Sequence, residues 1–104
     1  MLACKTSAPS NATRRVTEPV DRLPPPPFWR TRYYDRAMSR PDRRDIRPAD
    51  VLAVRASPTA TERQTDGRLR AWGWITWRGR WLRVIIEPDG ETMHNAFWDS
   101  GFRP

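Results

Sequence analysis

Cysteine is almost missing from this chain: Cys4 is the only one in 104 residues. A single thiol excludes a disulfide framework. With His94 as the only histidine, it also excludes a zinc site of the usual Cys/His kind. Glycine is scarce, and no glycine-rich phosphate-binding loop of either common pattern is present. No apolar run reaches the about 18 residues that a helix needs to cross a bilayer. The mean hydropathy of −0.83 points the same way. The expectation is a cytoplasmic chain with no membrane partner, no bound metal and no cofactor. Met1-Leu2-Ala3-Cys4 has the outline of a lipoprotein cleavage site, but no basic and apolar stretch precedes it. Cys4 is therefore expected to be an ordinary residue.

What is abundant is arginine. Eighteen of the 19 basic residues are Arg, Lys5 being the other, and the net charge is +7. The resulting isoelectric point near 11.1 suits a polyanionic partner. The guanidinium fork matches phosphate geometry and stacks on bases. GC-rich coding and simple solubility are the plain alternative, and an acidic protein is a further partner class.

Composition divides the chain. Residues 1–27 hold Ser, Thr, Pro and Arg without apolar periodicity and end in the run Pro24 to Pro27. They are expected to be a disordered tail closing in a stiff polyproline II spacer. Residues 28–104 read as the folded domain. Between 28 and 58, Trp29, Tyr33, Ala37 and Arg40 recur at helical spacing until Pro41. A second helix is expected from Pro48, with Val51, Leu52 and Val54 on its apolar side, up to Ser57-Pro58. The period then changes to two. Leu69, Ala71, Gly73 and Ile75 alternate with Arg70, Trp72 and Trp74. Leu82, Val84 and Ile86 likewise alternate with Trp81, Arg83 and Ile85, and Thr92 to Trp98 forms a last strand. Turns are marked by Asp66-Gly67, Arg78-Gly79 and Pro88-Asp89-Gly90. The expected fold class is α+β: two N-terminal helices packed on a three- to four-stranded antiparallel meander.

Three groups of residues could carry chemistry. Arg36, Arg40, Arg43, Arg44 and Arg47 make a candidate phosphate-binding ladder: a helix would stack Arg36, Arg40, Arg43 and Arg47 on one face. Although Pro41 opposes a single continuous helix, the five stay near one another. The alternative is a solvated face beside Asp35, Asp42, Asp45 and Asp50. Trp72, Trp74 and Trp81, with Arg70 and Arg83, fall on the sheet face opposite the helices, where they could stack bases. The same residues would also suit a minor hydrophobic cluster or a protein interface. His94 is the one side chain with an ordinary pKa suited to proton transfer near neutrality, although a lone histidine is more often structural.

The runs Arg36-Ala37-Met38-Ser39-Arg40, Arg44-Asp45-Ile46, Asp50-Val51, Leu82-Arg83-Val84-Ile85-Ile86 and Asn95-Ala96-Phe97 resemble the small toxin-like domains of the RelE/barnase-related RNase fold. The likeness spans about residues 33 to 99. It departs from the family pattern twice, where Arg36 replaces a helical His and Asn95 replaces a Thr of the last strand. The resemblance implies a metal-independent endoribonuclease in which the ribose 2′-OH attacks the adjacent phosphate, or a degenerate relative of one. It also implies RNA as partner, including ribosome-bound mRNA, and a cognate antitoxin protein. On that reading His94 or Tyr33 moves protons, with Tyr34 beside it, while Arg40 and Arg83 hold the phosphate. Arg36, Arg44, Arg70, Trp72, Trp74 and Trp81 would bind the nucleic acid. The competing reading is a non-catalytic basic module for nucleic acid or protein, of the kind carried by a phage or mobile element.

Overall fold

The computed structural model describes residues 22–104, so the greater part of the expected tail lies outside the described residues. Nine short elements follow: β1 (Arg22–Leu23), β2 (Arg30–Thr31), α1 (Arg32–Met38), a 3-10 turn (Pro41–Arg43), α2 (Pro48–Ala56), β3 (Ala60–Arg63), β4 (Leu69–Ile75), β5 (Arg80–Ile86) and β6 (Met93–Trp98). The strands form one six-stranded sheet in the order β1-β2-β6-β5-β4-β3.

This corrects the expected three- to four-stranded antiparallel meander. The run β3 to β6 is antiparallel throughout. Beyond it, β2 lies parallel to β6 and β1 pairs antiparallel with β2, so the sheet is mixed. Two-residue strands are too short to carry a period, which is why alternation in the sequence could not reveal them. They exist because β6 needs a neighbour: Met93 N donates to Trp29 O at 2.8 Å. Arg22 and Leu23 therefore belong to the sheet and not to the tail, and the expected boundary at residue 27 moves back at least to residue 22.

The same pairing shortens the first helix. Thr31 ends β2 and caps α1, its hydroxyl accepting from Tyr34 N at 3.0 Å. α1 then buries Tyr34 and Ala37 and closes before Pro41. In α2, Pro48 occupies the first turn, and the Asp50 carboxylate accepts from the backbone N–H of Arg47. Val51 and Val54 are its buried face.

The strands present Ala71, Ile75, Leu82, Val84, Ile86, Met93 and Ala96 to a core completed by Phe28, Tyr34, Ile46, Val51 and Val54. Helices thus cover one sheet face only. Gly73 lets α2 approach β4 closely: a Cβ at that position would stand 2.8 Å from Val54 Cγ2. The hairpin turns at Gly67 and Gly79 use φ of +90° and +68°, which a side chain would oppose. Among the described residues, no helix is long and apolar enough to cross a membrane.

Candidate functional site

The β5–β6 hairpin builds the centre of the site. Glu87 N donates to Thr92 O at 2.8 Å, closing the turn. Asp89 fixes that turn by accepting from the backbone N–H groups of Glu91 and Thr92. Along the ladder Ile86 faces Met93 but Ile85 faces Asn95, so His94 is an extra residue in β6. A bulge of this kind re-aims the side chain that it displaces. Here it sends the imidazole toward α1, where it stacks on Tyr33 with ring centroids 4.8 Å apart and planes 10° from parallel.

Glu87 sits at the other end of the turn, and its Oε2 lies 2.9 Å from His94 Nδ1. The contact is close but poorly aligned, because Nδ1 is sealed from solvent and makes no well-directed hydrogen bond. Arg68 Nε stands 3.3 Å from both Glu87 oxygens, and its Nη1 donates to Asp66 at 2.9 Å. Burial holds the His94 imidazole below its ordinary value of 6.5, the charge of Arg68 acts in the same direction, and Glu87 opposes both. Its surroundings therefore favour the neutral ring.

His94, Tyr33, Glu87 and Arg68 line a cleft of about 380 Å³, rimmed also by Arg22, Thr31, Asp89 and Thr92. Arg22 is held over Trp29 at 4.0 Å and bonds Asp89, Glu91 and Thr92. A shallower hollow of about 230 Å³ adjoins the cleft on the uncovered sheet face. Gln64, Arg70, Arg83, Ile85, Asn95 and Phe97 line it, and His94 and Arg68 border both spaces. Sequence reasoning missed Glu87, Arg68, Arg22 and Asp89. The signal for Glu87 was available: a tight turn at Pro88-Asp89-Gly90 folds the end of β5 back onto the start of β6, bringing Glu87 beside His94.

The other expected residues divide into three groups. Arg83 borders the hollow but is engaged. Its Nε and Nη2 donate to Asp99 Oδ2 at 3.0 and 2.8 Å, and its guanidinium lies between Phe97 at 4.7 Å and Trp72 at 5.5 Å. Arg70 borders the same hollow and pairs with Glu62 at 2.9 Å. Tyr33 belongs to the cleft, whereas Tyr34 points into the core edge-on to Phe28, where burial raises its hydroxyl.

The arginine ladder comes apart. Arg43, in the 3-10 turn, is buried and donates to Asn95 Oδ1 at 2.9 Å and Ala96 O at 3.0 Å. Its Nε lies 3.5 Å from Asp42 without forming a hydrogen bond. Arg47 pairs with Asp50 and lies over Trp77 at 4.4 Å. Arg36, Arg40 and Arg44 remain exposed, make no ion pair among the described residues, and line neither the cleft nor the hollow.

The expected tryptophan platform is largely self-covered. Phe102 folds back to stack on Trp72 at 4.8 Å and meets Trp81 edge-on at 4.9 Å. Trp72 is buried and donates its Nε1–H to Asp99, while Trp74 stays half exposed against Trp81. Among the described residues, no three His, Cys, Asp or Glu side chains group as a metal site would need.

No family model, no curated protein and no solved structure matches this chain.

Proposed function

We propose that this chain is a metal-independent endoribonuclease domain of the RelE/barnase-like kind, with its reaction centred on His94. The observation that carries the reading is the meeting of His94, Glu87, Arg68 and Tyr33 in one concave site. A neutral imidazole can take the proton of a ribose 2′-OH. Nδ1 faces Glu87 and is sealed, so the exchange falls to Nε2. The carboxylate would stabilise the imidazolium as it forms. The 2′ oxygen then bonds to phosphorus, the bond to the 5′ oxygen breaks, and the imidazolium returns its proton to that leaving oxygen. Arg68 would offset the charge that grows on the phosphoryl oxygens. Arg36, Arg40 and Arg44, free of acidic partners, would draw the flanking backbone to the domain electrostatically.

The test is cleavage of short single-stranded RNA in excess EDTA. Products ending in a 2′,3′-cyclic phosphate, intact DNA controls and a loss of about a hundredfold or more in His94→Ala are expected. Full activity in that variant, or no cleavage of free or ribosome-bound RNA, would overturn the reading.

One observation favours a second reading, a non-catalytic RNA-binding module. Every arginine that borders the cleft or hollow already has a carboxylate within 3.4 Å. Binding that weakens steeply with salt, without cleavage, would support it.

A further inference from the structure

We infer that the shallow hollow beside the cleft is a nucleobase subsite that prefers bases with a carbonyl edge, guanine and uracil, to adenine and cytosine. The inference rests on the proposal that the partner is RNA. It starts from Asn95. An asparagine usually leaves open which of its two ends is oxygen. Here the end facing the protein is met by two groups that can only donate, Arg43 Nη1 and Ala96 N, both at 2.9 Å. That end is therefore Oδ1, and its two lone pairs are spent. The amide NH2 makes no hydrogen bond among the described residues, and Asn95 lines the hollow.

The consequence is selective. Asparagine reads adenine by donating to one base atom while accepting from the exocyclic amine. Asn95 has no acceptor left, so only the donating half of that pair remains. The guanidinium groups of Arg68 and Arg70 on the same wall are donors without acceptor capacity. Donors from Asn95, Arg68, Arg70 and Arg83 outnumber the acceptors of the hollow, the Gln64 amide oxygen and His94 Nε2, so the lining favours O6 and N7 of guanine or O4 of uracil over the amino groups of adenine and cytosine. Buried Ile85 and partly buried Phe97 supply an apolar surface for the base plane. The position fits the reaction as well. His94 and Arg68 border both spaces, so a base in the hollow belongs to a nucleotide next to the phosphate in the cleft.

The experiment uses the full chain and DNA oligonucleotides carrying one ribonucleotide, which confines cleavage to a single bond. The ribonucleotide and its 3′ neighbour are each varied through the four bases. A preference of about tenfold for the keto bases at one of these two positions is expected. Replacing guanine there with 2-aminopurine, which lacks O6, should abolish the preference with the protein untouched. Asn95→Asp keeps an acceptor for Arg43 and Ala96 N but replaces the donor with an oxygen, so the order should level or reverse toward adenine and cytosine. Fluorescence anisotropy with all-DNA oligomers reads the subsite without chemistry, since guanine and thymine carry the same carbonyls. Cleavage without base preference overturns the subsite and leaves the proposed reaction standing. A keto preference in binding without cleavage supports the subsite and removes the reaction. Uniform binding with no cleavage overturns the subsite.

Discussion

Gly73→Ala should destabilise the domain by about 1–3 kcal/mol, although alanine is ordinarily the better strand residue. Away from close contacts, the exchange gains about 0.4–1 kcal/mol through the unfolded chain. Here the new methyl would stand 2.8 Å from Val54 Cγ2, 3.4 Å from its Cβ and 3.5 Å from its Cγ1. Carbon atoms prefer about 3.5–4.0 Å, so the nearest pair must separate by several tenths of an ångström. Neither side yields easily. β4 is bonded to β3 on one edge and β5 on the other. Val54 is a buried β-branched residue on a helix, where a single χ1 rotamer dominates. The strain must therefore lift α2 from the sheet, and the melting temperature should fall by roughly 5–20 °C. Circular dichroism melts and urea titrations of the four proteins in a Gly73→Ala/Val54→Ala cycle read this directly. The methyl should become nearly neutral once Val54 is trimmed, giving a coupling of about 1–2 kcal/mol. A single variant as stable as wild type, or strictly additive effects, would refute the claim that α2 rests on the bare glycine.

Other outcomes follow from the charges. Because the folded state holds His94 below its ordinary 6.5, the unfolded chain takes up a proton first as pH falls. Stability should therefore be complete above that value and decline below it until the folded imidazole also titrates, a slope that His94→Gln should flatten in urea midpoints measured from pH 7.5 to 5. Cleavage should weaken over the same range as the base protonates. Burial works to raise the Asp99 carboxyl, but hydrogen bonds from Trp72 and Arg83 outweigh it and leave it below 3.8. Acid unfolding should accordingly begin below that value, and Asp99→Asn should lose part of the acid step. Arg43→Met strips Asn95 Oδ1 and Ala96 O of a charged donor and should cost about 2–3 kcal/mol, whereas Arg40→Met at an exposed position should stay within about 0.5 kcal/mol, both read by urea denaturation.

Strands β4 and β5 were legible because apolar residues recur in them with period two, and the turns beside them because each ends in glycine. β1 and β2 were not, since pairing alone defines them: β1 rests on β2, and β2 on β6, about 60 residues away in sequence. Helical spacing from Trp29 hid the fact that Thr31 is a cap. The arginine ladder misled for a related reason. The chain after Pro41 runs through a 3-10 turn and not along a helix face, and that change of rotation carries Arg43 inward while Arg40 and Arg44 stay outside. His94 could be singled out by its chemistry, but the bulge that aims it depends on how two strands register and leaves no mark in composition. Phe102 lay beyond the last recognisable strand, so its return over Trp72 could not be foreseen.

The way the sheet ends bears on how the molecule meets copies of itself. A strand with unpaired backbone groups invites another chain to add on, the first step toward aggregation. At one margin β3 is four residues long and mostly exposed, with Glu62 and Arg63 in its exposed stretch, so an incoming strand would meet charge of both signs at once. At the other, β6 runs past its single paired position with β2, and Arg43 occupies Ala96 O, where a foreign N–H would otherwise dock. The same guanidinium that orients Asn95 therefore acts as a stopper on an open edge. Substituting it should do more than loosen the core. Concentrated samples of Arg43→Met should scatter light at temperatures where the wild-type chain stays monodisperse.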